Sequence, residues 1–275
     1  MTEPTPEAMA EEIKAAQDRS EQIRPFTERY DHYNVLKAYQ VADLVHKERI
    51  REGAAPAGKK IGFTNKDLWP LYHITEPMWA HIYDTTVFYC SEKTLPFKID
   101  KLCQPKIEPE IVFRFKTAPD PNHDPARLLQ CIDWVAAGFE LVQCHFPGWQ
   151  FKVTDTIADA GLHGALVIGE PRKVEDLGSG LVSALADCTL TLECDGREVA
   201  TGKGANVLGS PLMSLQHLLG VLARQPHAEP VRAGDIVTTG SLAPPPDISP
   251  GQTWTSKVGG IDLPVPWGTP IRAVA

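Results

Sequence analysis

Apolar positions along the chain change their spacing twice. Residues 5–23 are rich in helix formers, and Met9, Ile13 and Ala16 fall on one helical face. After Pro25 a second helix is predicted from Tyr33 to Glu52. Val35, Ala38, Tyr39, Ala42, Leu44, Val45 and Ile50 give it a broad apolar side, and Gly53 is placed to end it. The loop GAAPAGKK follows. Beyond it short apolar runs take over, and KIGFT predicts a first strand. Further strands are expected at Thr86–Tyr89, Glu110–Phe115, Gly138–Val142, Ala165–Ile168, Thr189–Cys194, Ile236–Thr239 and Thr253–Val258. Two helices interrupt them, Pro125–Ala137 and Pro211–Arg224. In the latter, Leu212, Leu215, Leu218, Leu219 and Leu222 keep helical spacing. The expected organisation is a helical N-terminal region, residues 1–58, followed by a β-rich catalytic domain, residues 59–275.

Composition narrows the function classes. With 275 residues, 43% hydrophobic and 23% charged, the chain can bury a sizeable core. A formal net charge of -8 and the lack of a basic run argue against nucleic acid, whose phosphates need clustered Lys or Arg. No apolar run reaches the ~18 residues of a membrane span, and the first 24 residues lack the apolar centre of a signal peptide, so the expected location is the cytoplasm. The six cysteines form no CxxC pair, so reduced thiols are expected rather than a zinc ribbon. Cys144 beside His145 is a poor nucleophile pair, because neighbours on a strand face opposite ways. No GxGxxG or Walker motif supports nucleotide binding.

The candidate chemistry lies in carboxylates. Glu108 and Glu110 in KIEPEIVF are spaced to share one side of an extended segment, and Pro109 between them excludes a helix interior. Two readings are open from this pattern: a solvent-facing edge, or ligands of a cation that offsets their repulsion. Glu140, in WVAAGFELV, sits where a glutamate is unexpected. It is either paired with a buried base or the third ligand of an all-oxygen site suited to Mg²⁺ or Mn²⁺. Lys60 would face such a site only if Lys59 faces away. Asp84 in YDTTVF is either a site residue or a turn residue. Thr154, Asp155 and Asp159 are site residues or caps. Thr239, Gly240 and Ser241 form a turn able to present N–H and hydroxyl groups to anions.

Taken in order, KIGFT, YDTTVF, IEPEIVF, GFELV, FKVTDTIADAG, ATGKGANVLGSP and AGDIVTTGSL resemble the 2-keto-4-pentenoate hydratase and 4-oxalocrotonate decarboxylase family, within the fumarylacetoacetate hydrolase superfamily. The resemblance runs from about residue 30 to 272. It implies an α+β fold, a mixed β-roll core with a small helical N-terminal region, and a homo-oligomer. It implies Mg²⁺ or Mn²⁺ on Glu108, Glu110 and Glu140, with Lys60 and Asp84 as the catalytic pair near a small 2-oxo acid. Thr154, Asp159, His163 and Ser241 are the expected substrate-binding residues. The implied activity is hydration of a 2-hydroxy-2,4-dienoate from aromatic meta-cleavage. The alternatives are decarboxylation of a 4-oxalocrotonate-type acid and carbon–carbon hydrolysis of an acylpyruvate. The last would need a His followed one turn later by a Glu; Glu28, Asp31 and His32 are the components at hand, but Glu28 and His32 stand in the reverse order and Asp31 is only adjacent to His32. Two departures bear on substrate choice. Relatives' A-D-N-A-S is here Ala158, Asp159, Ala160, Gly161, Leu162, with His163 next, and their D-S-R is Gln143, Cys144, His145. Trp69, Trp79 and Trp149 are candidates for an aromatic pocket wall.

Overall fold

The computed structural model describes residues 4–72, 74–90, 94–225, 228–263 and 271–275. Two helices open the chain. Helix α1 (Pro6–Arg19) starts where Thr5 Oγ1 accepts the Ala8 N–H, and α2 (Val35–Arg51) starts where Asn34 Oδ1 accepts the Lys37 N–H. α1 stops at Arg19, short of residue 23, because Ser20 caps it at φ +54, and α2 starts at Val35 because Asn34 is its N-cap. Their apolar faces bury Met9, Ile13, Ala38, Val41 and Val45 against Met78, Val142, Phe146 and Ile157 of the following region.

The remaining elements are β1 (Pro56–Gly62), α3 (Trp69–Tyr72), β2 (Met78–Tyr83), β3 (Val87–Tyr89), β4 (Leu95–Lys98), β5 (Lys106–Phe115), α4 (Pro125–Gln130), β6 (Ile132–Val142) and α5 (Val153–Ala158). They continue with β7 (His163–Ile168), β8 (Arg172–Lys173), α6 (Leu181–Asp187), β9 (Thr189–Cys194), β10 (Arg197–Lys203), α7 (Pro211–Arg224), β11 (Ile236–Thr238), β12 (Thr253–Gly259) and β13 (Ile271–Val274). Among the described residues an eight-stranded mixed sheet runs β2-β1-β11-β5-β6-β7-β3, with β8 beside β6, and a five-stranded sheet runs β10-β9-β12-β13-β4. This is the expected α+β architecture. Among the described residues no helix is long and apolar enough to cross a membrane.

The long pair β5–β6 carries the core. On β5, Ile107, Ile111, Phe113 and Phe115 face one way, and on β6 Val135, Ala137, Phe139 and Leu141 do the same. They meet the leucines of α7 and the apolar side of the second sheet, in the largest apolar cluster. The alternate positions, Val112 on β5 and Trp134 and Ala136 on β6, face the other side with Ile82, Leu166 and Ile236. Both faces are therefore covered, which is why these strands read as continuous apolar runs.

Three expectations need correction. The helix predicted over Pro125–Ala137 ends at Gln130, because from Ile132 onward the chain pairs with β5 and alternates between two apolar faces. The loop expected at GAAPAGKK is already strand β1 from Pro56, and the expected strands omit β2 and β10, the latter joined to β9 by a tight turn in which Asp195 and Gly196 both have positive φ.

Polar ties also fasten the N-terminal helices. Gln17 Nε2 donates to Asp159 Oδ1 (3.1 Å), and Thr27 donates its N–H (3.0 Å) and hydroxyl (2.6 Å) to the two oxygens of Asp155. The Ile23 N–H donates to the His145 carbonyl at 2.7 Å.

Candidate metal centre

The glutamates lie on the face of β5–β6 that the main core does not use. Glu108 pairs in register with Glu140, and Glu110 pairs with Gly138 one step along. One carboxylate oxygen of each lies within 4.8 Å of the other two. Glu110 and Glu140 are 1% and 0% exposed, and Glu108 keeps some access to solvent. Burial raises the Glu110 carboxyl well above its ordinary range, and Glu140 and Glu108 push it further. For Glu140 burial pulls the same way, but Lys60 and His163 outweigh it and hold the group ionised.

Each buried glutamate has one oxygen engaged and one left over. Glu110 Oε2 accepts the Gly240 N–H at 2.8 Å, and Glu140 Oε1 accepts from Lys60 Nζ at 2.9 Å and from His163 Nδ1 at 2.8 Å. Glu110 Oε1 and Glu140 Oε2 are buried without a hydrogen-bond partner. Unpaired buried carboxylate oxygens are costly, and a hard cation is the partner an all-oxygen set would take. The donor set fits Mg²⁺ or Mn²⁺ and offers no sulfur or imidazole ligand of the kind zinc favours.

The local sequence explains the positions. Lys59 reaches toward Asp235 on one side of β1 (3.9 Å), which sends Lys60 to the other side and onto Glu140. Burial works to lower Lys60, yet the surrounding Glu140, Glu108 and Glu110 carry it above its ordinary value. Gly161, at φ +63, lies against its stem: a Cβ there would meet Lys60 Cδ, Ala80 Cβ and Met78 Cε, each at 3.1 Å. Gly240, at φ +96, can aim its N–H at Glu110 because it lacks a side chain; a Cβ would stand 1.9 Å from Thr64 Oγ1.

The structure thus gathers Glu108, Glu110, Glu140, Lys60 and His163. The other expected residues are engaged elsewhere. Asp84 is exposed in a short turn, its Oδ1 accepting the Ala55 N–H and its own N–H donating to the Ala55 carbonyl, both at 2.9 Å. It brackets the start of β1, as a turn residue would. Asp159 is buried with both oxygens on His145 Nδ1, at 2.8 and 2.9 Å. Ser241 Oγ donates to the Ala243 carbonyl at 2.6 Å. Thr154 lines a separate cavity of about 610 Å³ with Tyr33 and Phe151. Glu28 and His32 are exposed and share no helix, and Glu28 holds Arg24 at 3.1 Å. Cys144 is buried and its thiol is pushed up to about 12 by that burial, so it is no nucleophile.

Thr86, two residues past Asp84, was not singled out from the sequence. Its Oγ1 lies 2.9 Å from His163 Nε2. Thr86 and His163 line a cavity of about 940 Å³ between α2 and β2, together with Tyr39, Trp79, His81 and Tyr83. Of the three tryptophans only Trp79 joins this wall; Trp69 and Trp149 donate their indole N–H groups to the Phe63 and Gln104 carbonyls.

Known proteins share this sequence pattern and fold. The fumarylacetoacetate (FAA) hydrolase C-terminal family matches residues 67–263. The chain is 30% identical over 265 residues to a 2-keto-4-pentenoate hydratase of Paraburkholderia xenovorans, covering 95% of this chain and 94% of the relative. It is 30% identical over 219 residues to a 2-hydroxypent-2,4-dienoate hydratase of Pseudomonas putida, covering 78% and 94%. Its fold matches 4-oxalocrotonate decarboxylase from Pseudomonas putida G7, complexed with magnesium and adipate, with a TM-score of 0.87 and 23% identity over 98% of this chain and 97% of that one. A fumarylpyruvate hydrolase from Pseudomonas aeruginosa, in complex with Mn²⁺ and pyruvate, matches at a TM-score of 0.55 and 12% identity, over 78% of this chain and 88% of that one. By sequence and fold alike, the chain belongs to the fumarylacetoacetate hydrolase superfamily and, within it, to the 2-keto-4-pentenoate hydratase and 4-oxalocrotonate decarboxylase family.

Proposed function

We propose that this protein is a hydro-lyase that adds water to a 2-hydroxy-2,4-dienoate, with Mg²⁺ or Mn²⁺ held by Glu108, Glu110 and Glu140. The observation that carries this reading is the convergence of the three carboxylates with two buried oxygens left unpaired, Glu110 Oε1 and Glu140 Oε2. When bound, a dication there would polarise the substrate's 2-oxygen as a Lewis acid and favour the enolate form.

The protein's own groups do the rest. Lys60, kept charged by the three glutamates, offers an ammonium to the negative 2-oxygen. The proton taken up at the far end of the diene and the hydroxyl added at C4 together account for one water, and loss of the enol proton with protonation at C3 leaves the 4-hydroxy-2-oxo acid. The cavity beside Thr86 and His163 has room for the substrate tail. Ala158 and Ala160 line it, so this chain holds the tail by apolar contact where relatives' A-D-N-A-S has an amide. The fold match to a 4-oxalocrotonate decarboxylase supports a second reading, decarboxylation of a 4-oxalocrotonate-type acid on the same frame. We infer a homo-oligomer as well, because β3 ends the large sheet with Phe88 and Tyr89 39% and 51% exposed. Six cysteines with no CxxC pair fit a reducing compartment such as the cytoplasm.

The test is incubation with Mg²⁺ or Mn²⁺ and 2-hydroxypenta-2,4-dienoate, 4-oxalocrotonate or an acylpyruvate, following ultraviolet absorbance and carbon dioxide. Loss of the dienoate without carbon dioxide is the expected result. Carbon dioxide from 4-oxalocrotonate supports the second reading, and turnover of the acylpyruvate alone refutes both.

A further inference from the structure

Glu140 Oε1 receives two donors from opposite directions along the sheet: Lys60 Nζ on β1 and His163 Nδ1 at the start of β7. Oε1 already accepts from the Lys60 ammonium, and the ring nitrogen facing it at 2.8 Å, Nδ1, is the second donor. On the other side of the ring, Nε2 lies 2.9 Å from Thr86 Oγ1, and that hydroxyl is anchored on the Tyr83 carbonyl at 3.0 Å. The imidazole is gripped at both nitrogens and is 8% exposed, so it has little freedom to turn. With Oε1 saturated, Oε2 is the oxygen of Glu140 left for an ion, and it is the one buried without a partner.

We propose that His163 is a positioning residue for the metal centre: it clamps Glu140 so that Oε2 is presented and the carboxylate cannot rotate. This rests on the metal-centre reading above and adds a residue to it. His163 supplies a polar contact directed at the ligand glutamate. Groups that orient a metal-binding side chain set affinity, and losing one typically weakens binding by 10–100-fold.

The experiment is titration of metal-free protein with Mn²⁺ by isothermal calorimetry, without substrate. His163→Leu should weaken Mn²⁺ binding about 10–100-fold. His163→Asn can place an amide N–H where Nδ1 stood, so its affinity should stay within about threefold of the parent. Thr86→Val, which loosens only the outer end of the clamp, should fall between the two. Melting curves in chelator establish that each variant is folded, and His163→Ala replaces the leucine variant should that one not fold. Parental Mn²⁺ affinity in the leucine or alanine variant overturns the proposal even if turnover collapses, because His163 then acts on substrate. An asparagine variant as weak as the leucine one also overturns it. Failure of the parent itself to bind Mn²⁺, or unchanged binding in Glu110→Gln, defeats the metal-centre reading instead.

Discussion

Consider Glu108→Gln in protein stripped of divalent ions. Burial raises the Glu108 carboxyl from 4.5 to about 7, with Lys60 opposing the rise and Glu140 adding to it. Below about pH 4.5 the folded and unfolded chains both hold this proton, and the site costs nothing. As pH rises toward 7 the unfolded chain releases the proton and the folded one keeps it, so the folded state loses about 1.4 kcal/mol per pH unit. Above about pH 7 the loss levels off at about 3 kcal/mol. Glutamine removes that burden. Because Glu108 keeps some solvent access, its amide is not left as a buried orphan. For a chain of this size the gain corresponds to roughly 5–10 °C in melting temperature. With Mn²⁺ at about 100 times its Kd the parent gains about 2.7 kcal/mol, and the variant, one charged ligand short, gains less. Differential scanning fluorimetry in EDTA and in Mn²⁺, from about pH 5 to 8.5, should show the variant ahead in EDTA at high pH, level near pH 5, and behind in Mn²⁺. A glutamine variant less stable than the parent in EDTA at pH 8 would refute the account of a carboxylate cluster held together by a cation.

The other predictions concern groups around the cluster. Gly240→Ala would set a Cβ 1.9 Å from Thr64 Oγ1 and displace the N–H that holds Glu110, so Mn²⁺ affinity in calorimetry should fall at least about tenfold. Asp159→Ala would leave the buried His145 Nδ1 without its hydrogen-bond partner, and thermal melts should show a loss of about 1–3 kcal/mol. Lys60→Met should cost at least about a hundredfold in kcat for dienoate hydration, in line with loss of a charge stabiliser. Asp84→Asn, at an exposed turn, should change kcat/KM by less than about threefold; a collapse there would return Asp84 to the catalytic machinery.

The acidic cluster was legible because a carboxylate within an apolar strand needs an explanation, and three of them at compatible positions share one. Glu140 alternates with the buried Phe139 and Leu141 and so points to the opposite face, and it is buried because Val112, Ala136 and Leu166 cover that face too. The order of the motifs carried the fold. What stayed hidden depends on contacts distant in sequence. Asp84 and Thr86 are both polar residues in YDTTVF, and only the turn at 84–86 decides that the aspartate serves Ala55 while the threonine meets His163. Asp159 carried the right chemistry for a site, but His145 and Gln17 claim its oxygens across 14 and 142 positions of chain. The helix expected through Ala137 stops at Gln130 because Ile132, Trp134 and Val135 favour a strand and pair with β5.

Asp155 and Asp159 are both buried at α5, and each draws part of its hydrogen bonding from the first 27 residues, through Thr27 and Gln17. A fragment beginning at the first strand would inherit two acids stripped of those donors. Grafting the leading helices from a relative would succeed only if the donors came with them. The front of the chain and the loop ahead of β7 therefore have to be exchanged, or to drift, as a single unit.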